Sequence, residues 1–208
     1  MRSPWLAWTG VAMGLLATAC AGGGGVRPPM SAAEAEARMA RAPRPPVNDA
    51  DVRFMSGMIH HHAQAVLIAG WAPSHQASDA LQRFCERIVV GQQDEIRVMS
   101  NWLADRGQPV PDVSPEHMMH AMDPSMQMPG MLDEAQLQKL DAARGGEFDR
   151  LFLTYMIQHH EGAIVMVDDL FASYGGGQDE TVFRLASDIY ADQTTEIERM
   201  HTMLDAMP

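Results

Sequence analysis

The chain has 208 residues, with 15 Lys and Arg against 27 Asp and Glu, a formal charge of −12. A length near 200 fits one domain or at most two small ones and can bury a core without disulfides. The acidic balance argues against nucleic-acid binding and against electrostatic docking on anionic lipid, and 46% apolar residues argue against a wholly disordered chain; the oddity left to explain is 18 methionines beside nine histidines.

The first element in chain order is an address. Arg2 gives a positive start, and Leu6 to Ala19 is an apolar run too short to span a bilayer comfortably. Ala17-Thr18-Ala19 precede Cys20 in the manner of a bacterial lipobox, with Ala17 where leucine is more usual. Residues 1–19 are therefore expected to be a signal peptide and Cys20 a lipidated N-terminus. An ordinary signal peptide with a coincidental cysteine is the alternative. Residues 20–47, with Gly22 to Gly25, Pro28-Pro29, Pro43, Pro45 and Pro46, are expected to be a tether, in which Ser31 to Ala42 could form a short helix. Lipidation would leave Cys85 as the sole thiol. It sits in the helical pattern Leu81, Phe84, Cys85, Ile88 and is expected to be a small core residue.

Residues 48–208 are expected to be the folded domain, and an internal repeat organises it. Asp51, Phe54, Met58, Ile59, His61, His62 and Ala65 recur 98 residues later as Asp149, Phe152, Met156, Ile157, His159, His160 and Ala163. Ile88, Gln92, Glu95, Ile96, Met99 and Leu103 recur 101 residues later as Ile189, Gln193, Glu196, Ile197, Met200 and Leu204. Each half reads as a long helix, a break and a second long helix. The spacing predicts helices over about 50–69, 78–105, 147–173 and 179–206, with Asn48 or Asp49 as the first cap and Gly107 with Pro109 ending the second. No segment shows a strand period. The predicted fold is all-α, a four-helix bundle of two repeated hairpins, with a connection over 106–146 that carries a short helix from about Asp133 to Ala143.

Successive helical residues turn by about 100°, so with Met58 at zero His61 and His62 straddle it at roughly −60° and +40° on the apolar stripe. His60 falls on the outer face, and its repeat counterpart is Gln158. Met156, His159 and His160 obey the same geometry. Buried imidazoles need partners, because an unsatisfied buried polar group costs about 1–3 kcal/mol. Gln92, Gln193, Glu95 and Glu196 on the partner helices, water, or a metal ion can supply them. Imidazole suits Cu, Zn, Fe or Ni, and thioether narrows the choice toward copper, Cu(I) above all.

Between the hairpins, residues 117–131 hold six methionines and two histidines, broken by Pro124, Pro129 and Gly130. Thioethers remain competent ligands where thiolates would be oxidised, so this loop is a second place for metal. A hydrophobic flap on the bundle is the alternative. His75 and His201 lack repeat counterparts and are expected at the surface.

The doubled Phe-x-x-x-Met-Ile-x-His-His-x-x-Ala pattern, with a closing Gln-x-x-Glu-Ile-x-x-Met helix in each half, resembles the DUF305 family over about residues 48–207. The resemblance implies a ferritin-like bundle in an exported bacterial protein, and for some members copper binding and copper resistance. Carried over by position, it implies ligands at Met58, His61, His62, Met156, His159 and His160, with Leu153 standing where the first copy has Met55. Met55, Met99, Met200, His117, Met118, Met119, His120 and Met122 are secondary candidates.

The functional expectation is a lipid-anchored protein facing the periplasm or cell exterior that binds Cu(I) or Cu(II), or another transition metal, for buffering, transfer or resistance. It is expected not to turn over substrate, not to bind nucleic acid, and to exchange copper with an unknown donor or acceptor. A di-iron redox enzyme is one alternative, but only Glu198-x-x-His201 has the required spacing. A structural or pH-sensing lipoprotein with a hydrogen-bonded histidine core is the other. No nucleophile with a base, phosphate loop or nucleotide fingerprint appears.

Overall fold

Helix caps fall where the sequence offers short polar side chains. The computed structural model describes residues 30–34, 47–113 and 128–208, and every regular element among them is helical. These elements are α1 (Asp49–Ala69), α2 (Asp79–Ala104), α3 (Glu134–Ala142), α4 (Gly146–Ala172) and α5 (Glu180–Asp205). Asn48 accepts the Ala50 N–H, Ser78 that of Leu81, and Asp179 those of Thr181 and Val182, filling donors that the first helical turn leaves free. Asp133 and Gln136 close a reciprocal capping box on α3. Beyond α2 the chain turns at Gly107, whose φ is +64°. Near the N-terminus, Ser31 bonds Glu34 at the start of a helical turn, Ala32–Glu34. The segment expected to be a signal peptide, Cys20, most of the expected tether and residues 114–127 lie outside the described residues.

Residues Pro45–Pro208 form one contact unit. Within it α1 pairs with α2 and α4 with α5 as two hairpins, and the hairpins meet through α1 against α4. The two apolar clusters give the direction of that meeting. One holds Phe54, Met55, Met58 and Ile59 from α1 with Ala163, Val167 and Leu170 from α4. The other holds Ala65, Ile68 and Ala69 with Phe148, Phe152, Leu153 and Met156. The early part of one helix faces the late part of the other, so α1 and α4 run antiparallel. Among the described residues no helix is long and apolar enough to cross a membrane.

The repeat is matched by reciprocal clamps between the hairpins. Buried Asp51 accepts the Gly177 N–H at 2.7 Å, and buried Asp149, its counterpart, accepts the Ser78 N–H at 3.2 Å. Asp179 adds a third tie. It caps α5, takes Trp102 Nε1–H at 3.1 Å and takes Arg106 at 2.6 Å, while Arg106 stacks over Trp102 at 4.2 Å. Burial opposes the Asp179 charge, but these bonds outweigh it and hold the carboxyl below its ordinary range. Asp179→Ala removes a cap and strands a mostly buried guanidinium, so stability should fall by about 3 kcal/mol. Urea midpoints would measure it; a loss under about 1 kcal/mol, a cap alone, would show that the ion pair contributes nothing.

His75 is not a surface residue. It is 5% exposed, with ring nitrogens 3.0 Å from the carbonyl oxygens of Trp71 and Asp141. The turn after α1 folds back so that the ring stacks on Trp71 and meets Phe148, pinning the end of α3. His201 is exposed, and Cys85 is a buried free thiol whose pKa burial pushes up to about 12, an inert core residue.

Candidate metal centre

The crossing of α1 and α4 is where the paired histidines lie, in a polar layer between the two apolar clusters. His61, His62 and His160 are 0% exposed and His159 is 1% exposed. The 3.6-residue period turns both members of each pair inward, since neighbours 100° apart can share a broad stripe. His61 and His159 meet across the crossing with ring centroids 3.8 Å apart. Within each pair the centroids lie 6.4 Å apart for His61 and His62, and 6.2 Å for His159 and His160. His60 and Gln158, at the expected outer position, are half-buried.

The second helix of each hairpin answers its own histidine. His62 Nε2 lies 2.8 Å from Glu95 Oε2, and His160 Nε2 lies 2.7 Å from Glu196 Oε2. His61 Nε2 reaches the Pro129 carbonyl at 3.0 Å. Desolvation dominates the protonation of His61, His159 and His160. It pushes the His61 pKa down to about 3, helped by His62 and opposed by the Pro129 carbonyl. It carries His159 well below its ordinary value, with the other three rings adding to the effect, and it lowers His160 despite the bond to Glu196. These three rings are neutral at pH 7, the form in which imidazole offers a lone pair.

The layer keeps buried polar atoms without a hydrogen-bond partner among the described residues. They are Nδ1 of His61, His62 and His160, both nitrogens of His159, both amide atoms of Gln92, and Oε1 of Gln193. Gln92 and Gln193 thus do not serve the histidines. At about 1–3 kcal/mol for each such atom, the set rivals a domain's entire stability of about 5–15 kcal/mol. Its chemistry, imidazole nitrogen with amide oxygen, fits a borderline transition metal or ordered water. Among the described residues no three or more His, Cys, Asp or Glu form a ready-made metal-holding group. The Nε2 tips of three rings are engaged by Glu95, Glu196 and Pro129.

The methionines flank this layer. Met55, Met58 and Met99 lie in one apolar cluster and Met156 and Met200 in the other, all 0% exposed. Leu153 takes the Met55 position of the second copy. His117, Met118, Met119, His120 and Met122 lie outside the described residues. Glu198 and His201, the one di-iron-like spacing, sit on an exposed face and supply nothing to the interior.

Sequence reasoning missed how the end of the Met/His loop is held. Gln64 grips Leu132 by two bonds, donating to its carbonyl at 3.1 Å and accepting its N–H at 2.8 Å. Gln158 donates to the Gly130 carbonyl at 3.3 Å and accepts from Gln136 at 3.0 Å. Gly130, at φ +76°, lies flat on Gly162 of α4. The signal was in the mismatches of the repeat. Gln64 corresponds to Gly162 and His60 to Gln158, because one asymmetric loop crosses a nearly symmetric site.

Residues 51–204 match the family model DUF305, a domain of unknown function. A DUF305 fragment from Deinococcus radiodurans is 30% identical, with TM-score 0.63 over 77% of this chain and 99% of that one. A DUF305 protein of Streptomyces coelicolor described as secreted is 26% identical, with TM-score 0.63 over 75% and 92%. CopM in its Cu(II)-bound form is 27% identical, with TM-score 0.60 over 74% and 95%, and CopM is also seen bound to Cu(I). Among curated protein sequences none is significantly similar.

Proposed function

This chain belongs to the DUF305 family, and on that premise we propose that it is an exported, lipid-anchored copper-binding protein that buffers or transfers copper outside the cytoplasm. The proposed fold is a ferritin-like four-helix bundle whose two hairpins contribute one His-His pair each. The carrying observation is the duplicated layer of buried imidazoles with five nitrogens lacking a partner. His61, His62, His159 and His160 would hold the ion, with Met58 and Met156 beside them on the same stripes. Copper would supply a soft cation for nitrogen and thioether donors, with no substrate turned over. Support from outside the chain is the copper-bound state of CopM and the secreted character ascribed to the Streptomyces relative. Export would place Cys20 at the membrane facing the periplasm or exterior, where a donor or acceptor of copper would meet the domain.

The test is metal retention. Purified protein mixed with several equivalents of Cu(I) and then desalted is expected to keep copper. Replacing His61, His62, His159 and His160 with alanine should abolish the copper held in the bundle, with helicity by circular dichroism checking the fold. Stoichiometry unchanged in a folded variant would sink these ligands.

The carboxylate bonds at His62 and His160 favour a second reading, a hydrogen-bonded, pH-responsive histidine core. It predicts no retained copper and a melting temperature that copper leaves unmoved.

A further inference from the structure

We propose that Glu95 and Glu196 are positioning residues that choose the donor nitrogen: each accepts the Nε2 proton of its histidine, so that Nδ1 of His62 and His160 is the atom offered to a metal cation. This rests on the copper reading above, and its first test does not.

A carboxylate only accepts, and a neutral imidazole carries one N–H. In a neutral ring the contacts at 2.8 Å and 2.7 Å therefore place that proton on Nε2 and leave the Nδ1 lone pair bare. Among the described residues both Nδ1 atoms are buried without a partner, as the assignment requires. The arrangement occurs twice, on Glu residues that recur between the halves. His61 obeys the same rule through a different acceptor, because the Pro129 carbonyl can only receive a proton from Nε2, and its Nδ1 is likewise buried and unpartnered among the described residues. Among the described residues no carboxylate or side chain pairs with either nitrogen of His159, so no such partner sets its tautomer.

Position adds to the argument. The side chains of Glu95 and Glu196 are 17% and 23% exposed, so each reaches from the wet edge of its hairpin to a ring with no exposure at all. Asp192 lies within electrostatic reach of both, since its carboxyl is pushed up by its own burial and then by Glu95, Glu196 and Asp188. The negative charge lies at the Nε2 end of the rings, where it strengthens Nδ1 as a donor.

The test begins on metal-free protein. Nitrogen-15 NMR of the full chain at neutral pH is expected to show His62 and His160 protonated at Nε2 and bare at Nδ1. Glu95→Leu and Glu196→Leu should lose that bias and weaken Cu(I) binding by about 10–100-fold. Glu95→Gln and Glu196→Gln keep an acceptor oxygen and should keep the tautomer; they decide the question if the leucine variants fail to fold. Wild-type rings protonated at Nδ1, or folded leucine variants with unchanged tautomer and affinity, would overturn the proposal. Copper retained by rings of the wrong tautomer overturns this proposal alone. The right tautomer in a protein that keeps no copper overturns the copper reading, and with it the role of Nδ1.

Discussion

Acidification from pH 7 to 5 is expected to remove about 2 kcal/mol of stability through His61 alone. In the unfolded chain this ring binds a proton near 6.5, and in the folded protein it resists protonation down to about 3. Between those values the unfolded state holds more protons, so stability is intact above pH 6.5 and falls as pH drops, by about 1.4 kcal/mol per unit for each such ring. His159 and His160 are also depressed and add with the same sign. The charged groups around them do not reverse it. Glu196 and Glu95 favour protonated His160 but are outweighed by its burial, and the other rings repel a proton on His159. Asp51 and Asp192, pushed up mainly by burial, act in the opposite direction, since their raised carboxyls bind protons in the folded state first as pH falls. Urea midpoints measured from pH 7 to 5 should slide steadily downward, and His61→Leu should flatten the curve. A flat wild-type profile would mean that water or a rearranged core solvates the rings.

Gly162→Ala should cost more than about 4 kcal/mol, although the residue sits inside α4 where alanine ordinarily gains. A Cβ at this position would overlap the Pro129 carbonyl and lie 2.6 Å from Gly130 Cα, and all of these atoms are backbone. No rotamer relieves the clash, so the loop end must lift. Lifting it strands His61 Nε2 and both ends of the Gln64 amide and exposes Leu132, now 3% exposed. Gly91→Ala is the internal control. It lies in α2, and a Cβ there would meet nothing within 4 Å, so it should gain about 0.5–1 kcal/mol from helix propensity. Thermal melts of the two variants should move in opposite directions. Equal small shifts would show that the loop end tolerates displacement and does not cover the histidines.

Helices were legible because their period is local. A repeating apolar stripe, with a short polar residue before α1, α2 and α5 and a glycine just after α1, α2 and α4, set the ends of these helices to within about one residue. The duplicated motif also placed His61, His62, His159 and His160 inward, since a residue's face follows from its angle on its own helix. The identity of a ring's partner follows from no such rule. Gln92 and Glu95 both lie on or beside the facing stripe, yet only Glu95 reaches its histidine; a carboxylate one turn further along meets the ring, and the glutamine has no hydrogen bond among the described residues. The burial of His75 is not visible in its own segment because much of it comes from Asp141 of α3 and Phe148 of α4, both distant in sequence.

Spacing along single segments was enough to establish the helices, their doubling and the inward direction of four imidazoles. It could not establish the contact of His61 with His159 across the hairpins, the carboxylates that orient His62 and His160, or the loop end laid over Gly162. Those depend on how segments remote in the chain approach one another, and only packing fixes that distance.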